Sequence, residues 1–392
     1  MDIKLFTSAL SRQKNWKEAA KEVATKVKKD LNGSSCDLGV FFVSEGFRDF
    51  DPQVFSKFMT DLLPYRVLLG CNSSGVIANH TEVEMEPAVS MLAMHVPGVK
   101  LFPFALSADQ TASLEKGQDL LKLLDIYPTD RPKFICLADP MTADMIKLVQ
   151  AFNDGYRGLP LVGGLVSGGI TGAANWLCLN GRVHMDGAVG VAMTGDIEFE
   201  TIVSQGCRPI GKPYVMTRVE GNILYEIAGR PALIVIRDLI EELSQKDRAL
   251  AEHSLSVGIA MNEKQEEFKC GDFLIRNIMG FDPDTGALIV GADLHVGQTL
   301  QFQLRDAETS QEDLRNLLER VGEHVDGPCG ALLVSSCGRG KNFYGQPDHD
   351  ATTIQNVRGP MPLGGFFANG EIGPIGRKNY IHGYTSSLVI FR

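Results

Sequence analysis

The sequence predicts a mixed α/β fold in two lobes, and two observations carry that expectation. Amphipathic helical segments alternate with short apolar strands, and the order helix, strand, helix, strand, hairpin comes round three times. Each pass also runs into a glycine-rich turn at the same place: GCNSSG at 70–75, GGLVSGG at 163–169 and GGFFANG at 364–370.

The first pass opens with a helix whose apolar residues Trp16, Ala19, Ala20, Val23 and Val27 share one face, followed by a strand over 38–43. A helix over 52–63 and a strand over 66–69 lead into the first glycine turn, and a strand pair, 89–95 and 99–105, turns at Pro97-Gly98. The second pass places a helix at 114–124, a strand at 133–137, a helix at 142–152, a strand at 159–162, and the pair 188–193 and 197–203. The third places a helix at 311–321, a strand at 331–334, a helix at 352–357, a short strand into 364–370 and a last strand over 384–391. The first two turns align residue for residue as GC-NSS-G and GG-LVS-G, the third as GG-FFAN-G with one extra residue. The periods are too long and too few for a solenoid, so the pattern reads as internal duplication.

Between the second and third passes, 208–252 reads as a connector with a hairpin (215–219, 223–227) and a helix over 232–243. Strands follow at 255–260, 273–279, 287–290 and 300–304, with FDPDTG at 281–286 supplying a turn. The lobe boundary is expected within 208–237.

Composition removes several function classes. A charged fraction of 22% with 44% hydrophobic residues is that of a globular protein. The net charge is −10 with no block of like charge, which offers neither a nucleic-acid footprint nor a polybasic membrane patch. No apolar run approaches about eighteen residues and the N-terminus lacks a secretory pattern, so a cytoplasmic location without a membrane span is expected. Eight cysteines without a CxxC pair argue for reduced, mostly buried thiols, and eight histidines without HExxH spacing lower metal hydrolysis.

Two constellations carry possible chemistry. Free amides at the glycine turns can cradle an anion or carboxylate, with Asn72, Ser73, Ser74, Ser167 and Asn369 adding hydrogen bonds; the plainer alternative is tight turns within a duplicated sheet. Twelve of the 41 glycines fall within 327–383, where Cys337, Arg339, Asn369, Glu371, His382 and Tyr384 lie at three strand ends. There Arg339 can hold a carboxylate and Glu371 an ammonium, which describes an amino-acid-sized pocket; an Arg339–Glu371 ion pair tying loops together is the plainer reading. An enzyme reading would make Cys337 a nucleophile, His382 its base and Glu371 the group orienting the imidazole. Arg276, inside an apolar strand pattern, either points to solvent or lines a cleft.

The runs SCGRG (336–340), PLGGFFANGEIGP (362–374) and HGYTSSLVIF (382–391), with FLIRNIMGFDPDTGALIVG (273–291) and VGQTLQFQLRDA (296–307), resemble the C-terminal half of the FIST family. LLGCNSSGVI (68–77), PLVGGLVSGG (160–169), DGAVGVAM (186–193) and GCRPIGKPYVMTRVEGNILYEIAGRPAL (206–233) are similar to its N-terminal half. The resemblance divides the chain into an N-terminal domain over 30–230 and a C-terminal domain over 231–392. It implies a non-enzymatic sensory module that binds a small ligand such as an amino acid, with no resident cofactor, and signals to a partner protein in trans. It also implies a haem alternative, a nitric-oxide sensor that binds haem b and regulates a histidine kinase. His184, with Met185 beside it, would then be the best-placed proximal ligand, and His382 the next.

Overall fold

The computed structural model describes residues 3–171, 174–265, 267–269, 271–321 and 329–392; Cys270 and Gly327 lie outside them. Mutual contact sorts the chain into two units, one made of Met1–Val203 with Arg315–Arg392 and the other of Ser204–Leu314. The chain leaves the first unit after Val203 and returns to it at Arg315.

The first unit is built on three six-stranded mixed sheets. In hydrogen-bonded order, the first sheet runs Leu5–Ser11, Val89–His95, Cys36–Ser44, Tyr65–Ser73, Leu177–Leu179, Arg182–His184. The second runs Lys100–Leu106, Ala188–Thr194, Lys133–Ala138, Leu161–Leu165, Glu371–Ile375, Lys378–His382. The third runs Phe199–Ser204, Ser386–Phe391, Gly330–Ser336, Leu363–Ala368, Gly75–Ala78, Thr81–Glu84. The central pair is parallel in each sheet, with antiparallel partners on both sides. The last two strands of every sheet form a hairpin that follows a different sheet's fourth strand in the chain. The hairpin after Tyr65–Ser73 completes the third sheet, the one after Leu161–Leu165 the first, and the one after Leu363–Ala368 the second.

Parallel strands buried on both faces explain the near-continuous apolar runs in the sequence. Leu38, Val40 and Phe42 point inward to a core shared with Ile135, Leu137, Leu332, Val334 and Phe366 of the other two sheets. The alternate residues Phe41 and Val43 point outward, onto the helices Trp16–Asp30 and Pro52–Leu62 through Ala19, Val23, Phe55 and Met59. Phe134, Cys136 and Ala138 do the same on the second sheet, against Leu148 and Phe152 of Met145–Gly155. Asn15 and Asp51 cap the first two helices, and Pro52 occupies a first-turn position where its missing N–H costs nothing.

Three aligned glycines show why the turns recur. Gly70, Gly163 and Gly365 face Phe41, Cys136 and Leu333, each two residues before the point where the antiparallel neighbour begins. A Cβ at Gly163, whose φ is +141°, would lie 1.8 Å from the Cys136 carbonyl oxygen, and one at Gly365 would lie 1.9 Å from that of Leu333. This register makes GFFANG (365–370) equivalent to GGLVSG and GCNSSG without the extra residue expected from the sequence. The expected turn at 70–75 is in fact strand as far as Ser73. Two further elements depart from expectation: Leu5–Ser11 is a strand, and the helix expected at 114–124 begins at Gly117 and is preceded by a separate short helix, Ala108–Ala112.

The second unit is a barrel. Tyr214–Glu220, Ile223–Ile227, Ala287–Val290, Phe273–Asp282, Leu255–Ala260 and Thr299–Arg305 pair antiparallel in that order, and the last pairs back to the first. Closure pairs each of these six strands on both sides. Met216, Leu224, Val257, Leu288, Leu300 and Phe302 fill it together with Val235 and Leu239 of the helix Ala232–Glu242. The helix Gln245–Ser254 stands where the sequence reads as connector.

Candidate functional site

In an open sheet, space for a ligand forms beyond the carboxyl ends of parallel strands, where the following loops diverge. In the first unit, the carboxyl ends of all three parallel pairs are stitched together by short-range polar contacts. Ser74 and Ser167 occupy matching positions after their strands: the Ser167 hydroxyl accepts from the Ser74 amide at 2.9 Å and donates to the Phe367 carbonyl. Asn369, the third equivalent, is exposed and donates its amide to the Leu165 carbonyl at 2.9 Å. Cys337 sits at the same junction, its Sγ 3.1 Å from the Ser74 hydroxyl and its amide donating to the Ala368 carbonyl. Ser73 closes its own turn by donating to the Gly75 carbonyl at 2.8 Å.

The charged residues of the C-terminal cluster are spent internally. Arg339, 2% exposed, grips Asp350 with both arms of its fork, Nε to Oδ2 at 2.7 Å and a terminal nitrogen to Oδ1 at 3.0 Å. Its other terminal nitrogen donates to the carbonyl of Tyr384, a residue held at φ +61°. Tyr344 lies under the guanidinium, and His349 stacks on Tyr344 at 3.5 Å while facing Asp350 through Nδ1. Arg339 and His349 together hold the Asp350 carboxyl far below its usual range despite complete burial. The guanidinium expected to meet a ligand carboxylate, or to pair with Glu371, therefore has Asp350 as its partner. Sequence reading missed Asp350 because nothing in FYGQPDHDATT marks one acidic residue of that stretch as buried.

Glu371 is fully buried. Its Oε2 accepts from the Thr385 amide at 3.0 Å and hydroxyl at 2.8 Å, and its Oε1 has no hydrogen-bond partner among the described residues. Burial pushes its pKa up to about 8, outweighing the hydrogen bonds from Thr385 and the pull of Arg339. His382 lies opposite on the neighbouring strand, with Nε2 3.0 Å from the Gly373 carbonyl. Burial raises the Cys337 thiol too, and the nearby Glu371 carboxyl adds to the effect. A catalytic cysteine needs the opposite shift. The chain of roles expected for an enzyme, Glu371 to His382 to Cys337, is replaced at its first link by Glu371 to Thr385.

Arg276 belongs to the barrel unit, on Phe273–Asp282, where it donates to the Ile275 carbonyl at 2.9 Å.

A cavity of about 390 Å³ opens at the carboxyl ends of Cys36–Ser44 and Tyr65–Ser73. Val43, Phe47, Phe50, Pro52, Ala174, Trp176 and Met185 supply its apolar wall, and Ser44, Glu45 and Asn72 its polar groups. Asn72 is the framework residue: its Oδ1 accepts from the Trp176 amide at 2.9 Å and its Nδ2 donates to the Ala174 carbonyl at 3.0 Å, fixing the far wall. Gly168 lets this happen, since a Cβ there would stand 1.9 Å from Asn72 Nδ2. Phe50 stacks with Phe47 at 6.0 Å and with Trp176 at 5.9 Å, which orders the aromatic wall. Ser44 is engaged with Glu86 and Ala88, whereas Glu45 keeps a buried Oε1 with no partner among the described residues. Burial alone raises the Glu45 pKa.

Asn72 is the one sequence-expected site residue lining this cavity. Glu45, Phe47, Phe50 and Trp176 were missed, although SEGFRDF, a polar-aromatic run directly after the first apolar strand, carried the signal for the first three. His184 is half-buried on Arg182–His184, its pKa lowered by burial and by Arg182. Met185 lines the cavity but no histidine among the described residues does, so the residues described there do not fit haem. Among the described residues, no cluster of three His, Cys, Asp or Glu side chains suits a metal ion, and no helix is long and apolar enough to cross a membrane.

Comparison with known proteins bears on this geometry. The FIST N domain matches residues 37–230 and the FIST C domain residues 232–374. An uncharacterized protein of Mycobacterium bovis is 37% identical over 376 residues, covering 96% of this chain and 95% of its own length. An uncharacterized protein of Mycobacterium tuberculosis is 35% identical over 379 residues, 96% of each. An F-box/LRR-repeat protein of Arabidopsis thaliana is 25% identical over 229 residues, 50% of this chain and 43% of its own. The crystal structure of a cyanuric acid hydrolase from A. caulinodans aligns over 100% of this chain and 99% of its own, at 9% identity and a TM-score of 0.35, a likeness too slight to inform function. With both family regions present in order and spanning nearly its whole length, the chain belongs to the FIST family of sensory, ligand-binding signal-transduction domains.

Proposed function

We propose that the protein is a cytoplasmic sensor that binds a small metabolite in the cavity walled by Phe50 and Trp176, and that its bound state is read by a signalling protein in trans, such as a histidine kinase. The observation that carries this reading is the cavity itself. Its volume lies within the range of small-molecule sites, its wall is aromatic, and its polar groups are few and held by the fold. Amino acids and metabolites of similar size fit the space. The protein acts by binding rather than catalysis: the Cys337 thiol is raised rather than activated, and the carboxyls of Asp350 and Glu371 are engaged by Arg339 and Thr385.

Binding drives signalling only as far as the ligand prefers one conformation over another. The loop following Cys36–Ser44 carries Glu45, Phe47 and Phe50, and is the element whose ordering a ligand would bias. A thermal-shift screen of small metabolites tests the reading: a true ligand raises Tm in the natural sequence and fails to do so in Trp176→Ala. A ligand whose stabilisation survives Trp176→Ala unchanged would place the site elsewhere.

A further inference from the structure

The polar groups of the cavity are unequal, and the inequality states what the occupant must bring. Ser44 and Asn72 are each held by backbone partners, as donor and as acceptor. Glu45 is not: among the described residues no donor reaches its carboxylate, which lines the cavity and whose Oε1 is shielded from solvent. A carboxylate only accepts hydrogen bonds, so what it lacks is a donor, and a charged donor suits it best. The described residues supply no charged donor there, because no lysine, arginine or histidine among them lines the cavity. The rest of the wall consists of aromatic rings and apolar side chains, and Phe47, Phe50 and Trp176 offer the π-systems that attract cations.

We propose that the cavity recognises an organic cation: a primary or alkylated amine on an apolar body, carrying no carboxylate of its own, with the ammonium against Glu45 and the body among Phe47, Phe50 and Trp176. This deepens the ligand-binding reading and rests on it. It also narrows that reading. A free amino acid brings a second carboxylate into a space that holds no cation to receive it, so amino acids are disfavoured relative to the corresponding amines. A neutral polar ligand leaves Glu45 without a charged partner.

Titration calorimetry of the full chain at neutral pH with three probes of one shape separates these cases. Phenethylamine carries the cation, 2-phenylethanol is its neutral counterpart, and phenylalanine adds the carboxylate. Phenethylamine is expected to bind at least tenfold more tightly than either of the others. Glu45→Gln is expected to bring its affinity down to that of the alcohol while leaving the alcohol's affinity unchanged. Equal affinity for amine and alcohol in the natural sequence, or phenylalanine binding as tightly as the amine, overturns the cation assignment and leaves the cavity's ligand role intact. Retained amine preference in Glu45→Gln overturns the role of Glu45. Absence of binding by all three probes overturns both the assignment and the cavity reading beneath it.

Discussion

Arg339 and Asp350 form a doubly hydrogen-bonded ion pair with almost no exposure, and such pairs are most costly when only half is removed. Arg339→Ala is expected to lower unfolding free energy by roughly 3–5 kcal/mol, since it strands a buried carboxylate. Replacing both residues by apolar ones of similar volume should recover much of that loss, as read by urea unfolding at neutral pH. Glu371 sets the sign of a pH effect. Its folded pKa of about 8 exceeds the ordinary 4.5, so between those values the native state binds more protons than the unfolded chain. Its contribution to stability is therefore full below about pH 4.5 and is lost as pH rises through 8, by up to about 1.4 kcal/mol per unit. Glu82, also buried and raised to about 8, adds in the same direction. In Glu371→Gln the fall in stability between pH 5 and pH 8.5 should be shallower than in the natural sequence; an identical slope would remove Glu371 as its source. At this scale the sequence disclosed the reactive-looking residues but not their pairings. Asp350 and Thr385 are partners only through tertiary geometry, which no local spacing records.

Among the elements, periodicity was a good guide wherever a segment was long enough to show it. The helices Trp16–Asp30 and Pro52–Leu62 and the strands of the parallel pairs lie where their apolar spacing places them. The hairpin Leu177–Leu179 with Arg182–His184 went unread because three-residue strands contain no period. Gln245–Ser254 went unread because its polar face dominates and only Ala251 is buried. The aligned glycines were legible as a pattern, though the reason for them was not: a neighbouring backbone carbonyl, or at Gly70 an aromatic ring, fills the space of the missing side chain. Gly163→Ala, which combines positive φ with a 1.8 Å clash against backbone, is expected to cost well over 1 kcal/mol and to lower Tm sharply. Gly221→Ala, at φ +58° with open space around it, should cost only about 1 kcal/mol.

For the molecule as a whole, the family regions and the compact units cut the chain in different places. The FIST N and C regions meet between residues 230 and 232, whereas the compact units change at Val203 and again at Leu314. A fragment ending at residue 231 keeps the first sheet but loses the hairpin Glu371–Ile375 with Lys378–His382 from the second sheet and the central strands of the third. It is expected to lack a cooperative thermal transition by circular dichroism. Residues 204–314, a closed barrel with its own core, are expected to show one alone. An internal pattern was visible in the sequence, but the exchange of hairpins was not, since each joins strands more than eighty residues away in the chain.

That exchange fixes a timetable for synthesis. The first sheet cannot be finished until residue 184 has left the ribosome, and the second and third wait for residues 382 and 391. Until translation is nearly over, the nascent chain carries Leu161–Leu165 with no partner on its far side and Gly75–Ala78 with no sheet to join. Bare strand edges of that kind invite pairing with other chains. Slowing elongation should therefore do little for the yield of native protein, whereas a chaperone that shelters strand edges until release should raise it.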